Sequence, residues 1–137
     1  MKRIIKHISL CLVALIFASF FLSGCSASME DPVADEYLVE MLDAIRENDA
    51  DAAYDLFVEG YVEYEDMENA IETLSKVWTY DDYDYVLTYK GVKSTVGTSG
   101  SVTFSERKYK VTAEDTTCTI LLNYIEDEGL VGFNINL

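Results

Sequence analysis

An α+β fold, with helices first and an antiparallel sheet after them, is predicted by three features of the chain. Apolar residues recur at near 3.6-residue spacing from Val33 to Trp78, then at alternate positions from Tyr83 onward. Breaks rich in glycine and acid separate the alternating runs and are too short for a crossover, so neighbouring strands run antiparallel. Helices followed by strands in this order segregate to one face of a curved, mainly antiparallel sheet of about four strands.

The first helix begins at Val33 and sets Val33, Tyr37, Leu38, Met41, Leu42 and Ile45 on one face, with Glu36, Glu40, Asp43 and Glu47 opposite. Asn48 suits a left-handed stop, and Asp49 suits the N-cap of a second helix from Ala50 to about Glu59. That helix carries Ala53, Phe57 and Tyr61 on one line, and Gly60 ends or bends it. A third helix is expected from about Glu65 to Trp78, with Met67, Ala70, Ile71, Leu74, Val77 and Trp78 inward. Alternation then marks strands around Tyr83–Lys90, Tyr109–Glu114, Cys118–Tyr124 and Leu130–Leu137. Turns fall at Gly97–Gly100, Glu114–Thr116 and Asp127–Gly129. The expected core is Tyr37, Leu38, Met41, Leu42, Ile45, Phe57, Ile71, Leu74, Trp78, Ile120 and Leu122.

Ahead of this domain, Lys2, Arg3 and Lys6 precede an apolar run from Ile8 to Leu22. As a helix that run would measure roughly 22 Å, short of the ~30 Å hydrocarbon core, and it reads as a secretory signal segment. Leu22-Ser23-Gly24-Cys25 at its end resembles the lipobox of bacterial lipoproteins. That resemblance implies cleavage before Cys25 and a diacylglyceryl thioether on its sulfur, two acyl chains that hold a protein stably on a bilayer. The expected organisation is therefore a signal segment 1–25, a tether 26–32 and a domain 33–137, held at a membrane and facing away from the cytoplasm. In a two-membrane cell this is the periplasmic face.

Charge and residue counts narrow the function. Beyond Cys25 seven Lys and Arg face 25 acids, a formal −18, which repels phosphate backbones and excludes a nucleic-acid binder or a basic membrane-surface helix. The only histidine, His7, lies in the leader, so the domain builds no Ser-His-Asp triad and no His-ligated zinc site. With Cys11 removed and Cys25 acylated, Cys118 is the last thiol and forms no intramolecular disulfide. Within Thr117-Cys118-Thr119-Ile120 it reads as a buried strand cysteine.

The amphipathic first helix, the turn Glu47–Phe57 and the closing hairpin Leu121–Ile135 resemble nuclear transport factor two–like α+β-cone domains. More narrowly they resemble small bacterial lipoproteins that carry such a domain behind a lipobox; the cystatin-like arrangement is close to it. The resemblance implies a fold and carries no functional residue, because that superfamily holds enzymes and plain binding modules alike.

Tyr80-Asp81-Asp82-Tyr83-Asp84-Tyr85 is the candidate binding stretch, since alternating carboxylates and phenols can receive a cation, a basic peptide or a sugar. The same residues also read as a loop entering an edge strand, with acids blunting the edge, and this reading is the stronger. No acid run has calcium-loop spacing, and no metal or cofactor is expected. The composition favours a lipid-anchored binding or interaction module that meets a basic protein or cell-envelope partner. The alternative is a small isomerase- or dehydratase-like enzyme with a carboxylate and a tyrosine in an apolar pocket, although no acid stands alone in an apolar run.

Overall fold

A computed structural model describes residues 29–137. The signal segment with Leu22, Ser23, Gly24 and Cys25, and the tether as far as residue 28, lie outside the described residues. Helix α1 spans Pro32–Glu47, α2 Ala50–Asp55 and α3 Tyr64–Ser75. Strands β1 (Asp84–Gly97), β2 (Gly100–Ala113), β3 (Thr116–Ile125) and β4 (Gly129–Asn136) follow as an antiparallel meander in the order β1-β2-β3-β4.

The start of α1 lies earlier than periodicity suggested. Asp31 is its N-cap, its Oδ1 accepting the Ala34 N–H at 3.1 Å, and Pro32 follows at the first helical position. Asp31 and Pro32 thus belong to the domain and not to the tether. At the other end Asn48 turns left-handed at φ 55° and ψ 41°, and Asp49 accepts the Ala52 N–H at 3.0 Å to open α2.

The second helix stops at Asp55, four residues short of the expected Glu59. A sheet bond wins over the helix ladder here. Leu56 C=O accepts the Leu130 N–H and Leu130 C=O accepts the Val58 N–H, both at 2.8 Å, so Phe57 makes a parallel bridge to β4. The third helix also ends early, at Ser75, and the Val77 and Trp78 N–H groups both return to Leu74 C=O. That turn drives Trp78 inward and leaves Val77 exposed; Ala70 faces solvent as well.

Alternate strand residues meet the helices on one face of the sheet. Tyr109, Val111 and Ala113 of β2, Cys118, Ile120, Leu122 and Tyr124 of β3 and Leu130 of β4 are buried with Leu38, Met41, Leu42, Ile45, Met67, Ile71 and Trp78. Tyr37, Phe57 and Leu74, expected in the core, are half-buried at its margin. Register shifts at Leu87/Tyr89 and Asn123/Tyr124 are bulges that bend the sheet.

The first hairpin is much longer than the alternation indicated. Gly91–Gly97 continues to pair with Gly100–Glu106, while β3 pairs with β2 only from Ser105 onward. The segment has few apolar positions and many Ser, Thr and Gly, a composition that reads as loop. Backbone pairing and a Ser94–Thr103 hydroxyl contact at 2.9 Å carry the ladder regardless. The result is a two-stranded arm projecting beyond the four-stranded body.

Gly129 closes the β3–β4 turn at φ +143°, and a β-carbon there would stand 2.8 Å from the Leu56 carbonyl oxygen. Both the backbone conformation and the approach of the Leu56–Val58 segment require glycine. Gly129→Ala is expected to cost about 1–3 kcal/mol in chemical denaturation, and wild-type stability in that variant would contradict this packing.

Candidate functional site

A polar knot joins the start of α1 to the sheet. Asp31, 7% exposed, accepts from Arg107 Nε at 2.5 Å and from the Tyr124 hydroxyl at 2.7 Å through Oδ2, while its Oδ1 caps the helix. Arg107, 8% exposed, donates through Nη1 to the Gly91 and Glu106 carbonyls at 3.0 and 2.8 Å. Its guanidinium lies 5.4 Å from the centre of the Tyr124 ring. One turn along α1, Asp35 accepts the Tyr109 hydroxyl at 2.7 Å.

Burial pushes the Asp31 carboxyl up, but the bonds from Tyr124, the Ala34 N–H and Arg107 outweigh it and hold the group below its ordinary value. Burial and the Asp35 carboxylate push the Tyr109 phenol far up. Carboxylate–tyrosine pairs are therefore present, the pairing an isomerase-like site would use. Here they are hydrogen-bonded ties between helix and sheet: the Asp31 oxygens are committed to a cap, a guanidinium and a phenol.

The six residues of the candidate stretch are distributed over several roles. Tyr80 bonds through its hydroxyl to Thr116 at 3.0 Å and stacks edge-on against Trp78, ring centres 5.0 Å apart. Tyr83 meets Trp78 at 5.5 Å, and Tyr85 meets Tyr109 at 5.9 Å. These tyrosines form an aromatic margin to the core. Asp81 pairs with Arg46, which also pairs with Asp43 and Glu47 of α1. Asp82 and Asp84 are exposed, Asp84 opening the edge strand β1. Ion pairing and aromatic packing account for most of the stretch, as the edge-strand reading holds.

A concavity lies elsewhere. A cleft of about 580 Å³ opens where the end of α1, the start of α2 and one side of α3 meet. Glu47, Asp49, Asp51, Glu68 and Glu72 line it with Asn48, Ala50 and Tyr64; none of Tyr80–Tyr85 does. Tyr64 donates to Asp51 at 2.6 Å, and that bond is the chief reason its phenol is pushed up to about 12. Glu72 pairs at 3.2 Å with Lys76, one turn along α3. No Lys or Arg lines the cleft. Glu47 is likewise paired with Arg46, and the three acids without a base leave the cleft negative, which favours a ligand that brings positive charge. Among the described residues, no three His, Cys, Asp or Glu are gathered to hold a metal ion.

The sequence pattern had placed Glu47 opposite the apolar face of the first helix and had given Glu68 and Glu72 no part in a site. Their meeting across two helices has no local signature. The Asp31 tie did have one: Asp-Pro ahead of an amphipathic run is a helix start. No family model, no curated protein and no solved structure matches the chain.

Because the folded Asp31 carboxyl titrates below its ordinary 3.8, its stabilising contribution is complete above that value and is lost as pH falls through the lower folded one. Asp31→Asn is expected to cost about 3–5 kcal/mol at neutral pH, since it strands a buried guanidinium. It is also expected to flatten acid unfolding below that pH. An unchanged acid limb would contradict the tie. Cys118 is buried and its thiol is pushed up by burial; a maleimide is expected to modify it only after denaturation.

Proposed function

We propose that this chain is a lipid-anchored, extracytoplasmic binding module that receives a cationic partner, a basic protein or envelope component, in the acidic cleft between α1, α2 and α3. The observation that carries the reading is the cleft itself: five carboxylates and a phenol around one opening, of which only Glu47 and Glu72 are paired with a base, Arg46 and Lys76. The anchoring half rests on the basic leader, the apolar run and Leu22-Ser23-Gly24-Cys25. The helix-then-meander order is in keeping with the α+β-cone resemblance, and a cone domain behind a lipobox suits recognition at a membrane.

Charge makes the partner's chemistry specific. A basic segment entering the cleft meets a surplus of carboxylates over bases, so affinity comes largely from electrostatics. Exposed charges farther apart than about 8 Å are screened at 0.15 M salt, and binding should weaken steeply as salt rises.

Cys25→Ser is expected to leave the chain uncleaved or release it from membranes, and to abolish the acyl adduct on the Cys25 peptide. For the partner, crosslinking in cells followed by binding measurements across ionic strength is the test. Glu47→Gln combined with Glu68→Gln is expected to lower affinity about tenfold, at roughly 0.7 kcal/mol for each charge, within the range for exposed pairs. A partner held equally well by the double variant, at low and high salt alike, would overturn the cleft as its site.

A further inference from the structure

The sheet has a second face, and the described helices leave it open. Side chains alternate along a strand, so Arg107, Tyr109 and Val111 turn toward the helices while Glu106, Lys108 and Lys110 turn away. Register sets four residues in one row across this open face. Gly91 of β1, Glu106 of β2, Asn123 of β3 and Gly132 of β4 are successive cross-strand partners. Three strand spacings make the row about 14 Å long.

Both ends of the row are glycine, and neighbouring side chains use the space. A β-carbon at Gly91 would collide with the Tyr89 hydroxyl, so the Tyr89 phenol lies across Gly91. One at Gly132 would stand 3.1 Å from Asn123 Nδ2, so the carboxamide leans over Gly132. Tyr89 and Lys93 flank Gly91 along β1, and Lys108 and Phe104 flank Glu106 along β2. Phe104 is half-buried yet stands apart from the core beneath the helices.

Polar capacity is left unused along this row. Glu106 is 6% exposed on a face without a described helix, and its Oε2 meets the Lys93 ammonium and has no further partner. Asn123, half-buried, makes no side-chain hydrogen bond among the described residues, and its Oδ1 is shut off from solvent as well. A buried acceptor left without a donor costs stability, so its retention calls for a donor from outside the chain. The Tyr89 hydroxyl is likewise unbonded among the described residues, and Lys108 Nζ stands 6.0 Å from the centre of its ring. Tyr89 and the Lys93 side chain are 45% and 56% exposed, so rotation about their side-chain bonds opens the row.

Charge selects the class of ligand. Beyond Asp84, Glu106 is the only acid in the four strands, and Lys93 offsets it. Lys108 and Lys110 stand on the same face, and the exposed acids Glu126–Glu128 stand past its β3–β4 end. An ion of either sign is therefore both drawn and repelled. A neutral ligand rich in hydroxyls meets neither effect. Its hydroxyls donate to the Asn123 and Glu106 oxygens and accept from Asn123 Nδ2 and the Tyr89 hydroxyl, while its C–H faces lie on an aromatic ring. We propose that the row Gly91, Glu106, Asn123 and Gly132 binds a neutral saccharide laid across the strands, with Asn123 and Glu106 on its hydroxyls and one sugar ring against Tyr89. The site lies on the face of the sheet away from the acidic cleft, and it depends neither on that cleft nor on the anchor.

The test adds maltotriose, cellotriose or triacetylchitotriose to the full chain in a zwitterionic detergent that carries no sugar. Amide chemical shifts of Tyr89, Glu106, Asn123 and Gly132 are expected to move with at least one of the three, equally at low and high salt. Asn123→Leu is expected to weaken that binding about tenfold. It is expected to leave the thermal midpoint unchanged or raised, because it replaces a carboxamide that bonds to nothing in the chain. Tyr89→Ala is expected to weaken binding to a similar extent, and it decides alone if Asn123→Leu fails to fold. No shift with any of the three sugars, or shifts confined to other surfaces, would overturn the site and leave the row to bound water. Full affinity in the folded variants would overturn it as well. Shifts that fade as salt rises would overturn recognition through hydroxyls and give the face to a charged ligand.

Discussion

The carboxylate of Asp31 is the joint on which the domain turns. One oxygen caps α1 and the other receives Arg107 and Tyr124, so a single side chain fixes where the helix begins and how it lies on β2 and β3. It also decides what the tether reaches. Two residues upstream of Pro32 the chain is held by Lys90 at the root of the arm, and from there α1 can run in only one direction along the sheet. A buried ion pair adds little to stability over a well-packed apolar substitute, but it is costly to break and strict in geometry. Here that strictness sets the polarity of the molecule.

Polarity gives the net charge a different meaning. A uniformly acidic body near a bilayer would be repelled by anionic headgroups, and composition taken as a whole says no more than that. Arg46 and Lys76 are the domain's bases outside β1 and β2, while acids stand on the helices and in the exposed β3–β4 turn, Glu126–Glu128, alike.

Most of the architecture was legible because periodicity is a local property. The change from a helical to an alternating pattern after Trp78, the Asn48 stop and the Asp49 cap all depend on neighbours a few residues away. What was missed depended on distant ones. The second helix yields at Leu56 because Leu130, far along the chain, offers its backbone. The arm persists past Gly91 because strand pairing needs no apolar alternation when neither face is covered. Tyr80–Tyr85 stood out by composition, yet its tyrosines and Asp81 are spent on Trp78, Thr116, Tyr109 and Arg46. The cleft acids are ordinary surface residues in sequence and become a site only when α3 folds beside the α1–α2 turn. The lipobox resemblance of Leu22–Cys25 lies outside the described residues.

The acidic cleft is the claim on which the functional account rests, and mapping a cationic probe onto it is the direct test. Amide chemical shifts of the domain are followed as a lysine-rich peptide is added at low salt. Shifts are expected at Glu47, Asp49, Asp51, Tyr64, Glu68 and Glu72, which line the cleft, and are expected to fade as salt rises. Shifts confined to other surfaces, or none at all, would contradict the cleft as a site for positive charge.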